Sequence, residues 1–424
     1  MIKHILKQLW NRKRANGWIF LELILVTFFM WGVIDPVYVL LSNRAIPMGY
    51  DIDNTFRLTL SEYDKNHSQY DPENDSDSIR DINIMRIYDM IKQYPGVESA
   101  VMIHNYQYPL SDGSSSWGMK HYDSLRLSTL QMTFFEDGDF FKVFRIHDAN
   151  TGKIPDHREN PIPTVYLTEN VQNFIYPGGN LVGKQVYNSY GNDSIGFRVA
   201  GIMQNFKFRS TEQPWPTMFR PVSKIEARNA AFCFRIRDGI SPQVFMEEFK
   251  QEMNPRFKLG NAYLLQVTSF DTIFRESEFT HGVTNTLRLQ SALAIFFLIC
   301  TFLGIAGTFW LHSNARRGEI GLRMAMGSTR KEILKEFLTE SWIITSIAWF
   351  IGILFALQRV YMTGFANPPR YHIDASYIQN MFIPHFLIVS LIIYVLIILI
   401  SFIGTWIPAS RAAQIEPAEA LRSE

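Results

Sequence analysis

The 424-residue sequence predicts an α-helical membrane protein with four transmembrane helices and a large α+β extracytoplasmic domain. Three observations lead there. Apolar residues collect in four blocks, 18–41, 289–311, 337–357 and 382–407, each close to or beyond the roughly 20 residues a helix needs to cross about 30 Å of hydrocarbon. Basic residues crowd the segments that would flank these blocks on one side. Between the first two blocks, residues 42–286 alternate strand and helix patterns with polar loops. The overall balance of 41 Lys+Arg against 40 Asp+Glu hides this partition, because 42–286 carries 25 basic and 30 acidic side chains while the apolar blocks carry almost none. A net charge of +1 argues against a nucleic-acid partner. With only Cys233 and Cys300, neither a disulfide framework nor a cysteine zinc site can be built.

Taken in order, residues 1–17 hold five basic and no acidic side chains, with Ile2, Ile5, Leu6 and Leu9 at the spacing of an amphipathic helix on the inner membrane surface. The first span (18–41) lacks an Ala-x-Ala-like cleavage site and is expected to be an uncleaved anchor. The segment 312–336 has six basic and three acidic residues, so by the positive-inside rule it shares the cytoplasm with the N-terminus. An even number of spans returns the C-terminus to the same side. The remaining spans are 287–311, 337–357 and 382–407, with a short outer loop at 358–381 and a cytoplasmic tail at 408–424.

Within 42–286, Phe56–Leu60 reads as a strand, about Ser78–Tyr94 as a helix stopped by Pro95-Gly96, and Val97–Ile103 as a strand. The order recurs with Ala231–Ile236, a helix opening at Ser241-Pro242 and running to about Met253, then Tyr263–Val267. Two β-α-β units, about 42–104 and 216–286, therefore bracket an inserted smaller subdomain at about 105–215. Gly178-Gly179-Asn180-Leu181-Val182-Gly183-Lys184 has P-loop spacing, but Gln185 stands where Mg²⁺ ligation needs Ser or Thr. It reads as a glycine-rich turn entering a strand. No His-Glu-x-x-His or Gly-x-Ser-x-Gly motif is present, so no catalytic, metal or cofactor residues are assigned. Glu22, Asp35 and Glu340 lie in apolar blocks but near interfaces, where water or a basic neighbour is within reach.

The run Arg316-Arg317-Gly318-Glu319-Ile320-Gly321-Leu322-Arg323-Met324-Ala325-Met326-Gly327 leading to Phe337-Leu338-Thr339-Glu340-Ser341, and the tail Pro408-Ala409-Ser410-Arg411 through Pro417-Ala418-Glu419-Ala420-Leu421-Arg422, resemble the loop and ending of MacB/FtsX-type ABC transporter permeases. Asp139–Phe144, Tyr166–Asn170, Gly183-Lys184-Gln185 and Phe197–Ile202 resemble landmarks of that family's periplasmic domain. The resemblance implies a porter-like core with an inserted subdomain, and an inner-membrane permease subunit that transmits ATP-driven motion to its periplasmic domain for export or efflux. Lipoprotein release and activation of a cell-wall hydrolase are alternatives within the family. A membrane-anchored receptor or enzyme domain without an ATPase is the alternative outside it.

The same resemblance implies that ATP and Mg are bound by a separate cytoplasmic ABC ATPase, with no cofactor in this chain. It also implies a second permease copy as homodimer or heterodimer partner, surrounding membrane lipids, and room for a periplasmic adaptor and an outer-membrane channel. Carried onto this sequence, the ATPase-coupling residues are Arg316, Arg317, Glu319, Ile320, Leu322, Arg323 and Met326, with Arg316, Glu319 and Arg323 as polar contacts. Gly304, Ala306 and Gly307 in the second span are small enough for close helix packing in a dimer.

Overall fold

The computed structural model describes residues 13–111, 115–120, 127–188, 196–363 and 375–414, with residues 13–16 and 375–381 described by backbone alone. The amphipathic pattern at Ile2–Leu9, residues 364–374 of the outer loop and the tail from Ile415 lie outside the described residues. Two compact units are present: a sheet domain, Asn43–Val283, and a helical unit formed by Met1–Ser42 with Thr284–Glu424.

The sheet domain opens with β1 (Thr55–Glu62), α2 (Asp77–Gln93) and β2 (Val97–His104); α1 (Lys13–Ala45) precedes them. Ser76 caps α2 by accepting from the Ile79 amide at 3.3 Å, and the turn after it needs Gly96, whose φ is +89°. The insertion supplies β3 (Ser116–Lys120), β4 (Leu127–Phe135), a one-turn α3 (Phe140–Val143), β5 (Thr164–Thr168), α4 (Glu169–Ile175), β6 (Gln185–Asn188), β7 (Gly196–Met203) and β8 (Thr217–Val222). The chain then returns through β9 (Ala230–Ile236), α5 (Pro242–Arg256), β10 (Ala262–Ser269) and α6 (Phe270–Thr280).

The strand order β10-β1-β9-β2 is antiparallel throughout, which places each β-α-β unit astride a strand of the other. The period-two alternation of β9 decides its two faces. Phe232, Phe234 and Ile236 meet Ile84, Ile87, Tyr88 and Ile91 of α2 and Phe245, Phe249 and Met253 of α5. Ala231 and Cys233 turn the other way, into a phenylalanine cluster from α3 and α6. Burial pushes the Cys233 thiol far above its ordinary range, so it packs as a small apolar group.

Beyond β2 the sheet continues β4-β3-β6-β7-β5-β8, and β8 pairs back onto β4 in parallel, Leu130 opposite Thr217. Six strands thereby close into a ring around Met119, Val165, Leu167, Val186, Val199 and Met218. The ring draws Thr217–Val222 out of the core and into the insertion. Gly183, at φ +83°, and Lys184 form the turn into β6, with the Lys184 ammonium on the Tyr176 hydroxyl at 2.9 Å.

The helical unit contains α1, α7 (Val283–Ala315), α8 (Arg317–Ala325), α9 (Arg330–Thr363) and α10 (Ala375–Ala412). Four of these, all but α8, hold segments long and apolar enough to cross a membrane. Their shared core includes Leu23, Met30 and Trp31 of α1, Ile305 and Phe309 of α7, Phe337 and Ala348 of α9, and Val389 and Ile393 of α10. Gly352 of α9 leaves just enough space for Thr27 and the Ile24 carbonyl of α1. Hydroxyl pairs join α9 to α10: Thr345 to Ser401 at 3.1 Å and Thr405 to Ser341 at 2.9 Å. The sequence gives no local sign that Asp35 is one of the deepest polar side chains in the unit. Only 1% of it is exposed, and it bonds His385 Nε2 at 2.8 Å across α1 and α10.

Candidate coupling site

The segment between α7 and α9 is a short amphipathic helix held rigidly at both ends. The helical path breaks at Arg316, and α8 begins at once. It ends because Gly327 takes φ +102°, where the Gly327 amide reaches Met324 O at 3.0 Å and the Ser328 amide reaches Arg323 O at 3.0 Å. The next helix opens with a reciprocal cap. Thr329 Oγ1 accepts from the Glu332 amide at 3.3 Å, and Glu332 Oε2 accepts from the Thr329 amide at 2.8 Å.

Four charges of the loop, Arg316, Glu319, Arg323 and Glu336, are arranged inward with Glu340. Arg316 is 5% exposed and donates to Glu319 at 3.4 Å, Glu336 at 3.2 Å and Glu340 at 3.3 Å. Arg323 bridges Glu319 at 2.6 Å and Glu336 at 2.7 Å. Two arginines and three carboxylates thus fasten α8 to the first turns of α9, with Ile320 inserted into the core beside Ile333 and Phe337. Burying such a network is costly unless every member is paired, and here each member is. The basic neighbour of Glu340 is Arg316.

The structure therefore divides the seven residues singled out from sequence. Arg316, Glu319, Ile320 and Arg323 hold α8 in place. Arg317, Leu322 and Met326 are on its exposed side, with Leu322 50% and Met326 72% exposed. Leu322 and Met326, four residues apart, share one face and form an apolar pair standing clear of the chain. Glu336, absent from the sequence-based set, is bonded to both arginines. Its only sequence signal was its position four residues before Glu340.

The small residues of α7 also separate. A side chain at Gly304 would collide with the Glu22 carboxylate of α1, so Gly304 serves a contact within this chain. Nothing lies within 4 Å of the space a Gly307 side chain would enter. Ala306 is half-buried.

Residues 291–417, which contain α8, α9, most of α7 and α10, match the family described as FtsX-like permease C-terminal. The macrolide export ATP-binding/permease protein MacB of Mannheimia succiniciproducens is 25% identical over 329 residues, covering 74% of this chain and 46% of that protein. Residues 291–417 thus carry an FtsX-like permease domain, and the chain is a homologue of MacB proteins. MacB of Bradyrhizobium diazoefficiens is 28% identical over 197 residues, covering 45% of this permease and 27% of that protein. The permease thus spans about half, or less, of the length of these curated relatives. Among solved structures, the periplasmic region of MacB from Actinobacillus actinomycetemcomitans aligns at 15% identity and a TM-score of 0.34, covering 54% of this chain and 94% of that one.

Proposed function

We propose that this permease is the transmembrane subunit of an ABC transporter in a bacterial inner membrane, with its termini cytoplasmic and its sheet domain periplasmic. In this reading a separate cytoplasmic ATPase, holding ATP and Mg, docks on the exposed face of α8. Two permease copies assemble, and motion driven by the ATPase passes through the long helices to the sheet domain, for export or efflux. The chain itself performs no chemistry.

The arrangement of α8 carries this reading. A helix that only obeyed a charge rule for orientation would leave its arginines in water. Here Arg316 and Arg323 tie the helix to α9 through Glu336 and Glu340, and Leu322 and Met326 stand outward together with Arg317. A rigidly fastened helix with an apolar face suits transfer of force from a docked partner better than a flexible loop does, because displacement of α8 must displace α9. The test is co-purification from native membranes. Recovery of a nucleotide-binding subunit with the detergent-solubilised permease is expected; its absence, together with no change in ATP turnover when purified candidate ATPases are added, contradicts the reading.

A further inference from the structure

The geometry points to a binding site for an anionic glycerophospholipid in a groove between α9 and α10. The groove has a volume of about 400 Å³ and is lined by Lys331, Leu334, Lys335, Leu338 and Trp342 of α9, with Phe402 of α10 forming the opposite wall. The α9 residues recur every three or four positions, so they form one stripe on the helix. At about 1.5 Å per residue the stripe runs roughly 16 Å from Lys331 to Trp342. Its chemistry is graded along that length: two ammonium groups at the end nearest the basic loop, then leucine, tryptophan and phenylalanine. The apolar end lies inside a segment long and apolar enough to span a membrane.

The charge at the head of the groove is available. Among the described residues, Lys331 and Lys335 have no ion-pair partner, although two glutamates stand next to them in the chain. Glu332 accepts from the Thr329 amide, and Glu336 is bound by Arg316 and Arg323. Both neighbouring carboxylates are thus engaged elsewhere, and neither forms an ion pair with Lys331 or Lys335. Two cations over an apolar trough match a molecule with an acidic head and a hydrocarbon tail, supplied by the bilayer in which the groove would sit. A soluble protein segment would meet no polar group beyond the lysines and Thr339. The site is independent of whether α8 docks an ATPase.

The test uses the full permease in nanodiscs containing phosphatidylglycerol or phosphatidylcholine with brominated chains. Trp342 emission is isolated by difference from Trp342→Phe, and retained lipid is counted by native mass spectrometry. The site predicts several-fold stronger Trp342 quenching by brominated phosphatidylglycerol than by brominated phosphatidylcholine at equal mole fraction. Lys331→Gln/Lys335→Gln should lose that preference and at least fivefold of the retained anionic lipid, whereas Lys331→Arg/Lys335→Arg should keep both. Arg330→Gln, at an exposed position outside the groove lining, should also keep both. Equal quenching by the two lipids, an unchanged preference in the double glutamine variant, or no quenching by either because a protein segment fills the groove would overturn the assignment.

Discussion

Lys207 offers the sharpest test of how the sheet domain holds its own first residues, Asn43–Ile46. Its side chain is fully buried, and its ammonium donates to three backbone carbonyls: Asn43 at 2.7 Å, Ile46 at 3.1 Å and Ser210 at 2.5 Å. Two of these acceptors lie at or just beyond the last turn of α1, where unpaired carbonyls and the negative end of the helix dipole favour a cation. Burial, assisted by Arg44, pushes the Lys207 pKa down to about 8, which still leaves it charged at neutral pH. Around it, Gln213 donates to Asn43 Oδ1 at 2.6 Å, Asn43 donates to Thr211 O at 3.0 Å, and Ser210 joins Glu278 of α6 at 3.0 Å.

Replacing Lys207 by Met keeps an unbranched stem and removes the three donors. Hydrogen bonds to a charged group contribute about 1.5–3 kcal/mol each, while keeping the ammonium out of water costs several kcal/mol. The net loss is about 2–4 kcal/mol, which corresponds to roughly 30- to 700-fold more frequent local opening. Amide hydrogen exchange on the full permease should show that acceleration in peptides covering Asn43–Tyr50 and Asn205–Trp215, with β9 and α5 unchanged. Acceleration below threefold, or an equal acceleration across the whole domain, would refute a local clasp.

Four further outcomes are expected. His157 is buried with Nε2 donating to the Glu136 carbonyl at 2.7 Å, and burial holds its pKa below 6.5. Because the unfolded chain takes up that proton first, stability is full above pH 6.5 and falls as pH drops below it; His157→Gln should flatten the dependence of the denaturation midpoint on pH below 6.5. Asp35→Leu removes the hydrogen-bond partner of His385 Nε2 and should cost about 1–3 kcal/mol, and Asp35→Leu/His385→Leu should recover most of it, read as thermal unfolding in detergent. Gly352→Ala drives a methyl group into Thr27 and the Ile24 carbonyl and should destabilise the helical unit by about 1–3 kcal/mol. Gly307→Ala, in open space on α7, should be neutral or stabilise by up to about 1 kcal/mol in the same assay.

Local patterns made much of this molecule legible. The four apolar blocks became four long helices, and α2, β2, β9, α5 and β10 stand where residue periodicity, Pro95-Gly96 and Ser241-Pro242 put them. Contacts between distant residues were not legible. Nothing near Leu130 or Thr217 announces that β4 and β8 pair in parallel and close a ring, because such pairing is decided by sheet curvature and not by alternation within either strand. Asp35 and His385 are 350 positions apart, and each alone looks like a polar residue close to a membrane surface.

Arg316 shows the limit in the candidate coupling site. Composition marks it as a cytoplasmic charge, and only the folding of α8 onto α9 brings three carboxylates around it. Leu322 and Met326 carried the opposite ambiguity, since apolar residues on a short helix ordinarily face the core. Ile320 satisfies that demand for α8 and leaves them outside.

The central claim is that the exposed face of α8 receives an ATPase, and site-specific photocrosslinking from Met326 in living cells tests it most directly. A photoreactive amino acid at Met326 should capture a protein carrying Gly-x-x-x-x-Gly-Lys-[Ser/Thr], and Leu322→Asp in the same chain should abolish that product while leaving permease abundance unchanged. Capture of only lipid or of a second permease copy, or capture of the ATPase undiminished by Leu322→Asp, would contradict the account.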